Sequence, residues 1–339
     1  MIVSGVIYIR FGGFGTGKSA NAKELSACAE NTKDIDIPDN AHIIALGEAA
    51  HGNVEFQELK LEVFRVMVEK YHVRAFALEG DYGGCEKVNR YIHGGTGTAK
   101  EAAAEIEKMT DGSEWSESYN KDMRKNILSG IREELVNRQN AAVGVHLADV
   151  LLQNEELGEL FEDRANYVIQ RDVMMRDNVL WIAEQEKEWG YDRIFISGHN
   201  DHIAKNGIYD VMGKLLDEEL GDGYYAIGTD FYKSCCNMPK SNGKRSNQVF
   251  YSHDPIAKAA KQAGLEKCWL DFGKIPQDTE LAKQIRQEMY LGSLGEGYAF
   301  YMRLFPSGYR AYRVPANMYD GMIFVPEATP IVIENEKGI

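Results

Sequence analysis

The sequence has no stretch of about 18 consecutive apolar residues, the length a membrane-spanning helix needs, so no such helix is expected. It has no CxxC pair, and its cysteines are five in number: Cys28, Cys85, Cys235, Cys236 and Cys268. That odd count and spacing disfavour a disulfide framework and a zinc ribbon, and reduced thiols are expected. Basic residues are the scarcer sign of charge, with 38 Lys and Arg against 52 Asp and Glu and a formal net charge of −14. Such a surface repels phosphate backbones, which argues against a nucleic-acid partner. No G-x-S-x-G elbow for a nucleophilic serine occurs; Gly292-Ser293-Leu294-Gly295 comes near without matching it. The chain also lacks internal repeats and low-complexity tracts.

Met1 to Phe11 is mildly apolar but short, and Arg10 interrupts it. It lacks the charged start and small-residue cleavage site of a signal peptide. It is expected to be a first strand or the remnant of an anchor, with a cytoplasmic location as the default.

What the chain does have is an ordinary globular balance, 44% hydrophobic and 27% charged over 339 residues. That length suits two domains or one large α/β unit. Short apolar runs alternate with amphipathic stretches, the pattern of a layered α/β sheet. His42–Leu46, Arg74–Leu78, Arg193–Ser197, Tyr224–Thr229, Cys268–Phe272 and Met322–Val325 read as strands. Phe56, Leu59, Val63, Val66 and Met67 form an apolar stripe at helical spacing. Helices are also predicted over Ile208–Leu220 and Ile256–Ala263, and Ser234–Asn247 is polar enough to read as an exposed loop. From Thr98 to about Trp189 the signal is helical throughout, with Leu157–Trp189 readable as one long helix. The expected architecture is three-layer α/β/α, with a mostly parallel sheet and a helical lid subdomain. The expected division is an N-terminal segment over 1–34, an α/β core over 35–97 and 190–330, and a helical insertion over 98–189.

Three buried strands end in ionisable residues. Gly47-Glu48-Ala49-Ala50-His51-Gly52 follows the first, Glu79-Gly80-Asp81 the second, and Gly198-His199-Asn200-Asp201-His202 the third. Ligands bind outside the carboxyl ends of strands in open parallel sheets, so neighbouring strands would bring these residues to one rim. Glu48 and His51, three apart, are close enough to pair on one turn, and a carboxylate-bound histidine can activate water. His199 or His202 would then donate to a developing oxyanion. The same residue types also suit zinc or iron, which leaves a metal-dependent hydrolase, or a metal- or haem-binding module, as alternatives. Gly12–Ser19 matches the phosphate-cradling pattern G-x-x-x-x-G-K-[ST], with Lys18 as its lysine. It follows a weak strand, and no later strand ends in a magnesium-binding aspartate, so a nucleotide site is the least favoured alternative.

ALGEAAHGNVEF (Ala45–Phe56), AFALEGD (Ala75–Asp81), RDVMMRDNVLW (Arg171–Trp181), GHNDH (Gly198–His202) and YDGMIFV (Tyr319–Val325) occur in that order. Together they resemble the erythromycin esterase family, which includes succinoglycan-biosynthesis-like members. The resemblance implies an esterase-like hydrolase that opens an ester or macrolide-type lactone, an antibiotic-resistance activity, without metal or other cofactor. It implies His51 as general base, Glu48 as its orienting carboxylate, and Glu79 and His199 as further catalytic residues. It places Lys60, His202 and Arg171 among substrate-binding residues. Lys60 stands where the family usually has an arginine, a change that keeps the charge but loses the planar fork. The partner so implied is a small ester or lactone.

Overall fold

The computed structural model describes residues 18–107, 121–295, 297–303 and 305–332. Gly12 to Gly17 of the glycine-rich motif, and the whole of Met1–Phe11, lie outside the described residues. The chain divides into a larger unit, residues 1–77 and 179–339, and a smaller one, residues 78–178.

In chain order the elements are α1 (Ala22–Cys28), β1 (Ile43–Glu48), α2 (Val54–Tyr71), β2 (Phe76–Leu78), α3 (Tyr82–Ile92), α4 (Ala99–Glu107), α5 (Lys121–Val136), α6 (Ala142–Glu159) and α7 (Arg164–Glu188). There follow β3 (Ile194–His199), α8 (Asn200–Ile203), α9 (Met212–Leu220), β4 (Tyr224–Asp230), β5 (Lys233–Pro239), β6 (Arg245–Tyr251), α10 (Pro255–Gln262), β7 (Cys268–Asp271) and α11 (Glu280–Ile285). The last are β8 (Met289–Gly292), β9 (Arg310–Arg313), β10 (Gly321–Phe324) and β11 (Glu327–Ala328). None of the described helices is long and apolar enough to cross a membrane.

The main sheet has the order β2-β3-β1-β4-β10-β7 and is mostly parallel. β1 lies between β3 and β4, parallel to both, and β10 runs parallel to β4. β7 closes the edge antiparallel to β10. β1 and β4 are buried along their whole length, which is why HIIAL and YYAIGT read as continuous apolar runs rather than alternating ones. The stripe Phe56, Leu59, Val63, Val66 and Met67 is the set of residues that α2 buries. These side chains join Ile44, Leu46, Phe195, Ile227 and Ile323 of the sheet in one core. Phe64 and Phe76 pack against Phe195 at ring separations of 5.8 and 5.0 Å.

Two expectations need correction. The segment Ser234–Asn247 is not an exposed loop but most of an antiparallel hairpin, β5 with β6, joined by β11 in a three-stranded sheet. Its polar residues are strand residues with partners. Asn237 donates to Asn247 Oδ1 at 2.9 Å, and Arg245 donates to Asn237 Oδ1 at 2.6 Å and to its backbone oxygen at 2.9 Å. Only the tip is a turn, where Gly243 takes φ +75°. The single helix predicted over Leu157–Trp189 is two helices, α6 and α7, broken at Leu160–Asp163. Asp163 starts the second: its carboxylate accepts from the backbone and side-chain nitrogens of Asn166 at 3.3 and 2.7 Å.

The smaller unit is helical and laced by ion pairs. Arg124 grips Glu155 through two parallel bonds of 2.7 and 2.8 Å, and Arg132 pairs with Asp149. Tyr82 meets buried His146 edge-on at 4.8 Å. Burial pushes the Tyr82 phenol up to about 12 and the His146 ring down to about 4.

Candidate active site

β1 and β3 are neighbours in register, and their last residues, Glu48 and His199, are paired across the sheet. Both are buried, 1% and 7% exposed, so the strand ends carry ionisable groups into a place that must provide partners for them. After Glu48 the chain turns through a loop that carries His51 and enters α2, which returns Gln57 and Lys60 to the same carboxylate.

Glu48 Oε1 accepts from His51 Nδ1, and Oε2 is ion-paired with Lys60 Nζ. Gln57 Nε2 donates to Glu48 Oε2 at 3.2 Å and to the backbone oxygen of His51 at 3.3 Å, while its oxygen accepts from Lys60 at 3.2 Å. Burial alone would push the Glu48 carboxyl up. The His51 hydrogen bond and the Lys60 charge outweigh that and hold it below the usual carboxylate range. Glu48 is therefore a carboxylate at neutral pH. A neutral His51 beside it carries its proton on Nδ1, which makes Nε2 the basic nitrogen.

His199 lies 5.3 Å from His51 ring to ring, tilted by 41°. It starts α8, and its Nδ1 accepts from the backbone N–H of Asp201 at 3.4 Å. A neutral His199 then carries its proton on Nε2. In their neutral forms the two facing rings thus differ in tautomer, His51 with its proton on Nδ1 and His199 with its proton on Nε2.

The glycines of this region are explained by what stands beside them. A Cβ on Gly47 would meet Asn200 Oδ1 at 2.2 Å, and one on Gly52 would meet the backbone oxygen of Asn237 at 2.1 Å. Asn200 uses that approach to clasp β4, donating to the Thr229 carbonyl at 2.7 Å and accepting from the Thr229 N–H at 3.1 Å. Thr229 in turn accepts from the N–H of Ala49 at 2.9 Å. Asn53 donates to the carbonyls of Cys235 and Thr329 and accepts from Ser234, so the β5–β6 hairpin holds the loop that bears His51.

Of the residues expected at the site, Glu48, His51, Lys60 and His199 gather in the larger unit. His202 is on α8, half-buried. Glu79 and Arg171 meet each other in the smaller unit, at 2.6 Å. Burial would lower the Arg171 guanidinium, but the Glu79 carboxylate outweighs that and keeps it firmly charged. Sequence reasoning missed Gln57, whose only signal was its place one helical turn before Lys60. It also missed Asn200 and Thr229, which meet across 29 residues with no periodicity to announce them. No group of three or more His, Cys, Asp or Glu among the described residues is arranged to hold a metal ion. At the glycine-rich motif, Lys18 and Ser19 are described and lie in non-helical backbone. Asn21 caps α1 by accepting from Lys23 and Glu24 N–H.

The sequence pattern described as erythromycin esterase matches residues 121–328. That span includes Arg171, His199 and His202, while Glu48, His51 and Lys60 precede it. A curated relative, erythromycin esterase type II of Escherichia coli, is 27% identical over 125 residues. This stretch covers 32% of the chain and 29% of the relative, so the chain matches under a third of that protein's length. Among solved structures, a Bacillus cereus protein has a TM-score of 0.71 at 17% identity, covering 91% of this chain and 97% of its own. A succinoglycan biosynthesis protein has a TM-score of 0.71 at 16% identity, with the same coverage. A mutant of the erythromycin esterase EreC in its open conformation has a TM-score of 0.56 at 14% identity, covering 94% and 99%. At these identities the likeness to the solved structures is one of fold.

Proposed function

The chain belongs to the erythromycin esterase family, and from that premise we propose that it is an esterase-like hydrolase in which His51 activates water against an ester or lactone. The observation that carries this reading is the His51 ring, bound to the Glu48 carboxylate through Nδ1 and facing His199 at 5.3 Å. His51 Nε2 takes a proton from water, and the hydroxide attacks the substrate carbonyl. The carbonyl oxygen becomes an oxyanion, to which His199 Nε2–H donates. As the tetrahedral intermediate collapses, the proton held by His51 passes to the leaving alkoxide. Glu48 keeps the His51 ring in the productive tautomer and stabilises it while protonated, as the carboxylate of a serine-protease triad does. Lys60 and Gln57 keep Glu48 ionised.

Glu79, Arg171 and His202 join the proposed set on the strength of the family's motifs, Glu79 as a catalytic residue and the other two on the substrate. The three-layer arrangement of the main sheet belongs to the same family-level reading. Macrolide lactones are the first substrates to try, because relatives bear the name erythromycin esterase.

A panel of carboxylic esters and lactones, macrolides included, tests this with the wild type and His51→Gln. At least one should be hydrolysed, and His51→Gln should lower its turnover by about 10²–10⁴, the usual range for losing a general base. Far-ultraviolet circular dichroism should be unchanged, since His51 is half-exposed at a strand end rather than in the core. Near-full activity in His51→Gln would remove His51 from the role.

A further inference from the structure

Taking His199 as the oxyanion-side donor proposed above, we propose that Asp201 is its positioning residue: the Asp201 backbone N–H holds Nδ1 of the neutral ring as acceptor and so leaves the ring's proton on Nε2, while the Asp201 carboxylate, oriented by the Ser293 hydroxyl, favours the protonated ring. Asp201 approaches the same nitrogen twice. Its backbone N–H donates to His199 Nδ1 at 3.4 Å, and its carboxylate Oδ2 stands 3.6 Å from that atom. The first contact suits the neutral ring. The second suits the protonated ring, whose Nδ1–H then faces a negative oxygen. In both states Nε2 carries a proton, so the donor needed at an oxyanion persists across the titration.

A carboxylate that is 48% exposed would ordinarily sample several rotamers, and its charge would be diluted by solvent. Ser293 limits this by donating from Oγ to Asp201 Oδ2 at 2.8 Å. Ser293 is itself held by hydrogen bonds from three consecutive backbone N–H groups at the end of β8. The Gly292 N–H donates to Asp230 Oδ2 at 2.8 Å, the Ser293 N–H to the Tyr309 carbonyl at 3.0 Å, and the Leu294 N–H to the Ala49 carbonyl at 2.9 Å. Ala49 is two residues before His51, so one strand end borders both histidines.

This gives a role to Gly292-Ser293-Leu294-Gly295, the near-miss of a nucleophile elbow. The Ser293 proton goes to a carboxylate, whereas a nucleophilic serine must give its proton to a base such as histidine. Ionisable groups that face His199 among the described residues include Asp201 on its own helix and His51 from the β1–α2 loop, with Glu48 and Lys60 behind His51. From β4, the clasp between Asn200 and Thr229 is uncharged, and the buried Asp230 that follows, whose carboxyl burial pushes up, accepts from the Gly292 N–H beside Ser293.

The test is a nuclear magnetic resonance titration of the His199 ring in the full-length ¹⁵N,¹³C-labelled chain, assigned by its loss in His199→Gln. The wild-type ring should be the Nε2–H tautomer when neutral. Asp201→Asn removes a negative charge that favours the imidazolium, so the ring should protonate at a pH lower by about 0.5–1 unit. Ser293→Ala should move it the same way by less. Asp210→Asn, which removes the carboxylate paired with Lys214 on the surface, should leave it unmoved. With an ester substrate, Asp201→Asn should lower kcat more than it raises KM. An unmoved His199 in both Asp201→Asn and Ser293→Ala would overturn the proposal. So would an Nδ1–H tautomer in the wild type, or loss of turnover in Ser293→Ala with His199 unmoved. The titration needs no substrate, so it stands or falls separately from the ester-hydrolase reading, which His51→Gln decides.

Discussion

Lys60 shows how one side chain can set the state of another. Glu48 is 1% exposed, and a carboxylate so buried needs compensation that His51 and Gln57 supply only in part. Lys60→Met should destabilise the protein by about 1–3 kcal/mol near neutral pH, below the range for a fully buried pair because the lysine is partly solvated. The sign with pH follows from the lowered Glu48 pKa. Its contribution is present above the unfolded carboxylate range and is lost as pH falls through the folded value. Urea denaturation of wild type and Lys60→Met should therefore show a gap at pH 7 that narrows below about pH 4. A gap constant with pH would mean that the lysine contributes through packing rather than charge. That Glu48, His51 and His199 would come together was legible in the sequence because each stands at or just after the end of an apolar strand, and β1 and β3 are neighbours in register. Gln57, the residue after the first motif, and Asp201, inside GHNDH, were silent, since an amide or carboxylate on a helix has many uses. Ser293 was legible only as a failed elbow, because its partner is 92 residues away.

At the scale of elements, the sequence announced strands that are apolar and hid those that are polar. β1, β3, β4, β7 and β10 were found within a residue or two. β5 and the start of β6 read as loop because Ser234, Asn237, Arg245 and Asn247 are polar, and the paired hairpin shows Asn237, Arg245 and Asn247 satisfying one another. The α6–α7 break was signalled by Asp163, a residue that favours helix starts, but helical spacing on both sides masked it. One junction makes a further prediction. Asp230 at the end of β4 and Asp254 at the start of α10 are wholly buried and hydrogen-bonded to each other. Burial pushes both carboxyls up, Asp254 to about 6, and Asp230 keeps the shared proton because the Asp254 charge adds to its burial. A raised folded pKa gives stability that is complete below the unfolded value and is lost as pH rises through the folded one. Asp254→Asn retains an oxygen for the N–H groups of Ile256 and Ala257 and gains an amide donor toward Asp230. It should remove much of the stability loss between pH 5 and pH 8, on the order of 1–3 kcal/mol. Equal losses in variant and wild type, measured by urea midpoints at the two pH values, would show that the pair does not titrate in that range.

At the scale of the whole molecule, the chain combines an α/β unit that carries two facing histidines with a helical unit that carries the Glu79–Arg171 pair. The α/β class and the mostly parallel sheet were legible because parallel strands are buried on both faces and read as apolar runs. The central claim is that a carboxylate-bound histidine, rather than a metal-bound water, generates the nucleophile. Its most direct test is the pH dependence of kcat/KM for ester hydrolysis by protein treated exhaustively with chelator. The rate should be undiminished and should rise through the titration of a carboxylate-paired histidine to a plateau, with His51→Gln losing that rise. Loss of the rate on chelation, restored by stoichiometric zinc or iron, would contradict it and turn His51 and its neighbours from acid–base groups into ligands.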